Sequence, residues 1–569
     1  MPQLMPKFPD ITYVRPDLNS FICGFEKHLK LFSAAANYEQ AELELKEIYK
    51  LRRHFDTMLN IANVRHTINT EDSFYEDEQN FYDENLPEYQ RLINDFYVVL
   101  VKSTYRNEFE KHYGKQLFNI ADLTLKTFSN EVMEDLKREN ILTSEYVKLI
   151  ASAKIDFKGE TYNLSGISPF QLSTDRPTRV DATKVFFNFF SSHKEELDNI
   201  YDKLVKVRHQ IALKLGYKNF ISLGYARMCR SDYDADMVKS FRKTVQEVIV
   251  PAVLKLKERQ RVRLGLDKLT FYDDALDFST GNAKLKGSPE WILTNATTMY
   301  KELSPKTNEF FQFMVKNELM DLVNKPNKAA GGYCTFFSEF KAPFIFSNFN
   351  GTSHDIDVLT HEAGHAFQGY CSRDNQIDEY YYPTLEACEI HSMSMEFLTW
   401  PWMNLFFENE ESKYKFAHLS HSLSFIPYGV AVDEFQHEVY ENPNMSTDER
   451  NATWRTIEQK YLPWKNYDIP YLLDGCYWHK QAHIFKSPFY YIDYTLAQLC
   501  AFQFWKKAND NREVALEEYI RLCEAGGSKP FLELVELANL KSPFAENTVK
   551  DVVLDVEDWL NKINDAQLN

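Results

Sequence analysis

Gly351-Thr-Ser-His-Asp-Ile-Asp-Val-Leu-Thr-His-Glu-Ala-Gly-His-Ala-Phe-Gln-Gly-Tyr370 is the stretch on which the reading of this chain turns. Apolar residues recur in it every three or four positions, as in one face of a helix. With Leu359 set at zero degrees, Ile356, Ala363, Ala366, Phe367 and Tyr370 fall within roughly 80 degrees of it, and His361 and His365 fall near 200 and 240 degrees. One face packs and the other carries His361-Glu362-Ala363-Gly364-His365, an H-E-x-x-H motif. On a helix its two histidines stand one turn apart and reach a single ion together, with Glu362 between them as a base. Gly351-Thr352-Ser353 offers the helix start, with Asp355 and Asp357 in its acidic first turn.

A catalytic metal takes three protein ligands and keeps a fourth position open. The next segment rich in donors is Thr384-Leu-Glu-Ala-Cys-Glu-Ile-His-Ser-Met-Ser-Met-Glu-Phe-Leu398, which is helical in pattern, with Leu385, Cys388, Met395 and Leu398 set to pack. Glu389 is the expected third ligand. His391 is a second donor on the same segment, and spacing does not choose between them. Glu386 and Glu396, at i−3 and i+7 from Glu389, are expected to orient histidine ring N–H groups from behind, or else to form a solvated face.

Upstream, two short aromatic runs bounded by Gly and Pro, Ala329–Phe337 and Pro343–Gly351, predict a small β-sheet next to the metal helix. Phe344–Phe349 is expected either to be an edge strand open to an extended peptide or to be an internal hairpin strand. Elsewhere the chain reads as helix, for instance Ala41-Leu43-Leu45-Ile48-Tyr49-Leu51. Turn signals at Gly166–Pro169 and Asp175–Pro177 suggest a helical lobe over 1–200 and a catalytic lobe over 201–569.

The 569 residues, 44% hydrophobic and 26% charged, suit a large compact fold. A net charge of −18 argues against nucleic acid as a partner, since phosphate binding needs clustered Lys and Arg. Eight scattered cysteines without a C-x-x-C pair fit a reducing cytoplasm. The opening Met-Pro-Gln-Leu-Met-Pro-Lys-Phe lacks an apolar core, and no apolar run reaches about 18 residues, so neither secretion nor a membrane is expected.

Several blocks together resemble the thimet-oligopeptidase-like zinc peptidases, most closely their oligoendopeptidase F branch. They are Tyr13–Asp17, Gly331–Thr335, Phe346–Gly351, the H-E-x-x-H helix, Glu389–Glu396 and Ala525-Gly-Gly-Ser528. The resemblance implies one Zn²⁺ held by His361, His365 and Glu389, with Glu362 as general base. It also implies a far wall of His483, Tyr490 and Tyr494, from the block His483-Ile-Phe-Lys-Ser-Pro-Phe-Tyr490-Tyr491-Ile-Asp-Tyr494, in which Tyr490 and Tyr491 compete for the site. The implied fold is a mostly α, two-lobed ellipsoid with a deep central channel, and the implied partners are short unstructured peptides; monomer and homo-oligomer both remain open. The readings set against it are an exopeptidase, which needs a pocket for a peptide end, and a helical scaffold with a four-ligand structural zinc, in which Glu362 has no purpose.

Overall fold

A computed structural model describes residues 5–568, so Met1–Leu4, part of the N-terminal stretch read above, lie outside the described residues. Side chains that can cap a helix set its boundaries from the start. Asp17 accepts from the amides of Asn19 and Ser20 to open α1 (Leu18–Ser33), Asn37 caps α2 (Tyr38–Ile68), and Asp72 caps α3 (Ser73–Val101). Their apolar stripes meet in one core that includes Phe25, Leu45, Phe55 and Phe96, and Ile377 and Tyr380 enter that core from far along the chain.

A buried ionic knot fastens this unit to the rest. Glu379 receives Arg52 at 2.7 Å and the hydroxyls of Tyr49 and Tyr97 at 2.7 Å each, and Arg53 meets Asp378 at 2.7 Å. A carboxylate taken out of water at this depth is tolerated because several donors satisfy it. The second and larger core, built from most of the remaining elements, includes Phe310, Phe346, Phe367, Ile426 and Phe502.

The chain is mostly α, as its periodicity predicts, with two small sheets among the described residues. Strands β1 (Ile155–Phe157) and β2 (Glu160–Tyr162) form an isolated antiparallel hairpin. Strands β3 (Met320–Val323), β4 (Tyr333–Phe337) and β5 (Ala342–Phe349) lie in the order β3-β5-β4 beside the motif helix α4 (His354–Ser372). This arrangement overturns one expectation: β5 is central, parallel to β3 and antiparallel to β4 in the register Tyr333↔Phe346 and Phe337↔Ala342. Both of its sides are paired, so it offers no edge to a ligand. The sheet's edges belong to β3 and β4, and β4 is the one that lines the cavity described below.

Behind α4 stand α5 (Leu385–Leu398), α6 (Glu411–Glu441), α7 (Tyr491–Asp510) and α8 (Arg512–Ala525). The predicted packing face of α4 is buried throughout, with Ile356, Ala363, Ala366 and Phe367 fully inaccessible. All eight cysteines are free. Among the described residues no helix is long and apolar enough to cross a membrane.

Candidate metal centre and cleft

The motif helix begins at His354, and its first-turn acids are engaged away from the helix's own amides. Asp355 accepts from the amides of Asn350 and Gly351 at 3.0 and 2.8 Å, tying down the incoming loop, and Asp357 accepts from the Tyr414 hydroxyl at 2.6 Å. Further along, α4 and α5 cross almost backbone to backbone. A Cβ at Gly364 would stand 2.6 Å from the His391 carbonyl oxygen and 2.6 Å from Ser392 Cα, so the motif's glycine fixes how near the two helices come. That closeness brings Glu389 to the histidines.

Ligand-capable atoms of His361, His365 and Glu389 all lie within 4.8 Å of one another. Glu389 Oε2 is 3.2 Å from His361 Nε2 and 3.4 Å from His365 Nε2. Its carboxylate is buried and further fixed by Ser392 Oγ at 2.9 Å and by a short hydrogen bond from the Tyr490 hydroxyl. Burial alone would raise the Glu389 carboxyl, but His365 and His361 hold it well below its ordinary value. Burial alone would lower the His361 imidazole, but Glu389 and Glu396 on its two nitrogens hold it well above its ordinary value. The same atoms that share protons here are those a divalent cation binds when it displaces them, so the donor set fits a metal.

A chain of hydrogen bonds sets the His361 tautomer. The Trp400 indole N–H donates to His418 Nδ1 at 3.0 Å, so His418 carries its proton on Nε2 and donates to Glu396 Oε2 at 2.7 Å. Glu396 Oε1 then accepts from His361 Nδ1–H at 2.7 Å. When His361 gives up its other proton, the one on Nε2, the lone pair left there faces the shared point between the ligands.

Glu396 thus stands where the sequence reading put it, but Glu386 does not. It reaches no histidine; both its oxygens are buried without a hydrogen-bond partner, beside Asp493 and Arg230. Burial first, and then Asp493, push its carboxyl up to about 8. Offsets of three and seven residues differ by roughly 80 degrees around a helix, enough to send the two glutamates to different sides. His391, two residues from Glu389, faces away as well: it is fully buried, its ring lies 6.2 Å from that of Tyr519, and it is outside the three-residue donor group. Helix α5 has no solvated face here, since Glu386 and Glu389 are both buried.

Glu362 is also buried, its Oε2 has no hydrogen-bond partner, and burial raises its carboxyl above the ordinary value. Its other oxygen lies against the backbone of residue 332, where a Cβ would stand only 3.0 Å away. A buried carboxylate oxygen left open beside three converging donors is expensive unless something else comes to it.

The far wall is assembled from the turn and helix after His483. His483 Nε2 lies 3.1 Å from the Tyr494 hydroxyl, and Tyr490 reaches Glu389. Tyr491 instead stacks edge-on against Phe425 and Tyr428. A second relay fixes His483: Tyr428 donates to Gln481 Oε1 at 2.8 Å, which turns the Gln481 amide N–H toward His483 Nδ1, also at 2.8 Å. The imidazole proton therefore sits on Nε2, facing the cleft. Burial, with help from Lys486, lowers this histidine to about 4, so it is neutral and an N–H donor near neutral pH.

Trp400, His418, Ser392, Gln481 and Tyr428 are site residues the sequence reading missed. Gln481 stands two positions before His483 and so shares its local signal; His418 lies on α6 and announces itself through no motif. The donors, Glu362, His483, Tyr490, Tyr494 and the β4 edge line one cavity of about 910 Å³. It adjoins one of about 610 Å³ at Gly331 and Gly332 and one of about 720 Å³ at Arg52 and Lys486.

Comparison with known proteins agrees with this geometry. Residues 8–128 match the peptidase M3 N-terminal domain, and residues 170–554 match peptidase family M3. A solved structure of PZ peptidase A with an inhibitor is 56% identical, with a TM-score of 0.98, covering 98% of this chain and 100% of that one. A structure given as an oligoendopeptidase F from Bacillus anthracis str. Ames is 53% identical, with a TM-score of 0.94 and 99% of each chain covered. An oligoendopeptidase F homolog of Borreliella burgdorferi is 25% identical over 400 residues, a match spanning 67% of this chain and 65% of that relative's length. The chain belongs to peptidase family M3, in its oligoendopeptidase F branch, and is a metalloendopeptidase.

Proposed function

We propose that the chain hydrolyses internal bonds of short, unstructured peptides in the cytoplasm, with zinc held by His361, His365 and Glu389 and with Glu362 as the general base. The observation that carries this reading is the unpartnered, buried Oε2 of Glu362 beside the three donors, on the wall of a cavity. A saturated structural site would give that carboxylate no work.

Zinc in this set supplies Lewis acidity, lowering the pKa of a water from 15.7 toward about 7 and polarising the scissile carbonyl. Glu362 takes the proton from the attacking water at Oε2 and returns it to the leaving nitrogen; its burial raises its proton affinity in the direction that task needs. His483 Nε2–H and the Tyr494 hydroxyl donate to the carbonyl oxygen as charge develops there, and one such donor is worth about 2.7–4 kcal/mol. Tyr490 steadies Glu389 through its hydroxyl.

The substrate backbone pairs with β4. The Phe336 carbonyl, on the open side of that strand, accepts from Asn60 Nδ2 at 3.0 Å. Because strand residues alternate in direction, the amide and carbonyl of Cys334 face the same open side, over the cleft, and are available to an extended peptide. A partition into lobes over 1–200 and 201–569 is part of the proposal; the smaller core is built mainly from residues up to Ala121, and Phe128 to Ile200 pack in the larger one.

Internally quenched peptides of graded length, assayed with and without chelator, test the reading. Glu362→Gln is expected to retain zinc and lose about 10²–10⁴ in kcat. Full activity in that variant would remove Glu362 from its role, and product masses showing only end trimming would favour an exopeptidase.

A further inference from the structure

Lys486 closes the short helix Ala482–Lys486, which also carries His483. It lines both the cavity of the metal donors and the adjoining cavity of about 720 Å³. The arginines on these walls are already matched: Arg52 by Glu379 at 2.7 Å and Arg227 by Glu139 at 2.9 Å. His66 is met by Glu76 at 2.9 Å. Among the described residues Lys486 has neither an ion pair nor a hydrogen bond.

The Lys486 side chain is exposed at the cavity wall, and the protein around it removes enough water to lower its ammonium from its ordinary value. An exposed, unmatched lysine on the wall shared by two cavities is open to an anion that enters the cleft from outside. Its position says what carries that anion. Lys486 follows His483 by three residues, so the two side chains leave neighbouring positions on one helical turn, about 5–6 Å apart at Cβ. An anion on Lys486 must belong to something that also lies beside the reacting carbonyl.

We propose that Lys486 binds a carboxylate of the peptide substrate, C-terminal or on an acidic side chain, and so selects anionic peptides and sets their position along the cleft. This rests on the peptidase reading above. Lys486 is a specificity residue, separate from bond cleavage.

The test compares peptides that share one scissile region: a free C-terminal acid, its amide, and amides carrying Glu or Gln at successive positions. With the wild-type enzyme, carboxylate-bearing peptides are expected to show roughly tenfold higher kcat/KM, through KM, shrinking as salt rises from 50 to 500 mM. Lys486→Arg keeps the preference. Lys486→Met brings carboxylate peptides down to the rate of neutral ones, which it leaves unchanged. An advantage of acid over amide assigns the terminal group, and an advantage of Glu over Gln the side chain. An equal acid-to-amide ratio in wild type and Lys486→Met, or a uniform loss on all peptides, overturns the proposal while the peptidase reading stands. Calorimetric binding of the same peptides needs no turnover, so it judges Lys486 even if cleavage fails: weaker binding of the carboxylate peptides alone in Lys486→Met supports it, and unchanged binding overturns it.

Discussion

Gly364→Ala tests whether helix proximity builds the metal centre. The added Cβ would stand 2.6 Å from the His391 carbonyl oxygen and from Ser392 Cα, both backbone atoms, so α4 and α5 must part by about 0.8 Å to reach ordinary contact. Two effects on stability oppose each other. Alanine in a helix interior gains about 1 kcal/mol over glycine, and overpacking costs about 1–3 kcal/mol. The metal-free protein should therefore lose no more than about 2 kcal/mol and remain folded. The metal centre has far less slack, because ligand distances tolerate about 0.2 Å and Glu389 moves with α5 while the histidines stay on α4. Zinc affinity is expected to fall about 10- to 100-fold, measured by competition with a chromophoric chelator, with calorimetric unfolding of the metal-free protein alongside. Zinc affinity within twofold of wild type would show that the α4–α5 spacing does not set the site.

Two further outcomes probe the relays. Trp400→Phe removes the donor that fixes the His418 tautomer, and through it Glu396 and His361, so zinc affinity should drop about tenfold in the same chelator assay; no change would show that Glu396 orients His361 unaided. His483→Gln should lower kcat about 10²-fold yet leave the acid limb of the pH–rate profile in place, because His483 is lowered to about 4 and is already neutral above that pH; a limb that shifts with the substitution contradicts the assignment. The same histidine has a signed effect on stability. Between about pH 6.5 and 4 the unfolded imidazole binds a proton that the folded one does not, so stability falls as pH drops through that window, and His483→Gln should flatten that slope in urea titrations.

Local features of the sequence account for the part of the site that could be read from it. The α4 motif repeats with helical period, and its packing face is buried as that period requires. Glu389 and Glu396 lie nearly in line on α5, and both meet histidines. The edge-strand expectation failed because β5's second neighbour, Met320–Val323, pairs across an interval of some twenty residues and follows directly on helical sequence, with no alternation of its own to mark it. Strand membership shows in a sequence; strand order depends on partners that do not.

The choice between Tyr490 and Tyr491 shows the same limit at the scale of one residue. Both rings follow Phe489, whose φ of +68° is left-handed and unfavourable by roughly 1–2 kcal/mol for a residue with a Cβ. That backbone is gripped on both sides: its amide donates to Gln436 Oε1 at 3.0 Å, and its carbonyl accepts from Arg230 at 2.6 Å. A net gain of about 1 kcal/mol for the first bond and about 1.5–3 kcal/mol for the charged one outweighs the strain. The clamp comes from α6 and from a segment 259 residues upstream, and it turns the chain so that Tyr490, and not Tyr491, meets Glu389. A tyrosine pair read in isolation is symmetric between the two; only the long-range bonds on Phe489 break that symmetry, and with it they decide which hydroxyl meets the Glu389 carboxylate.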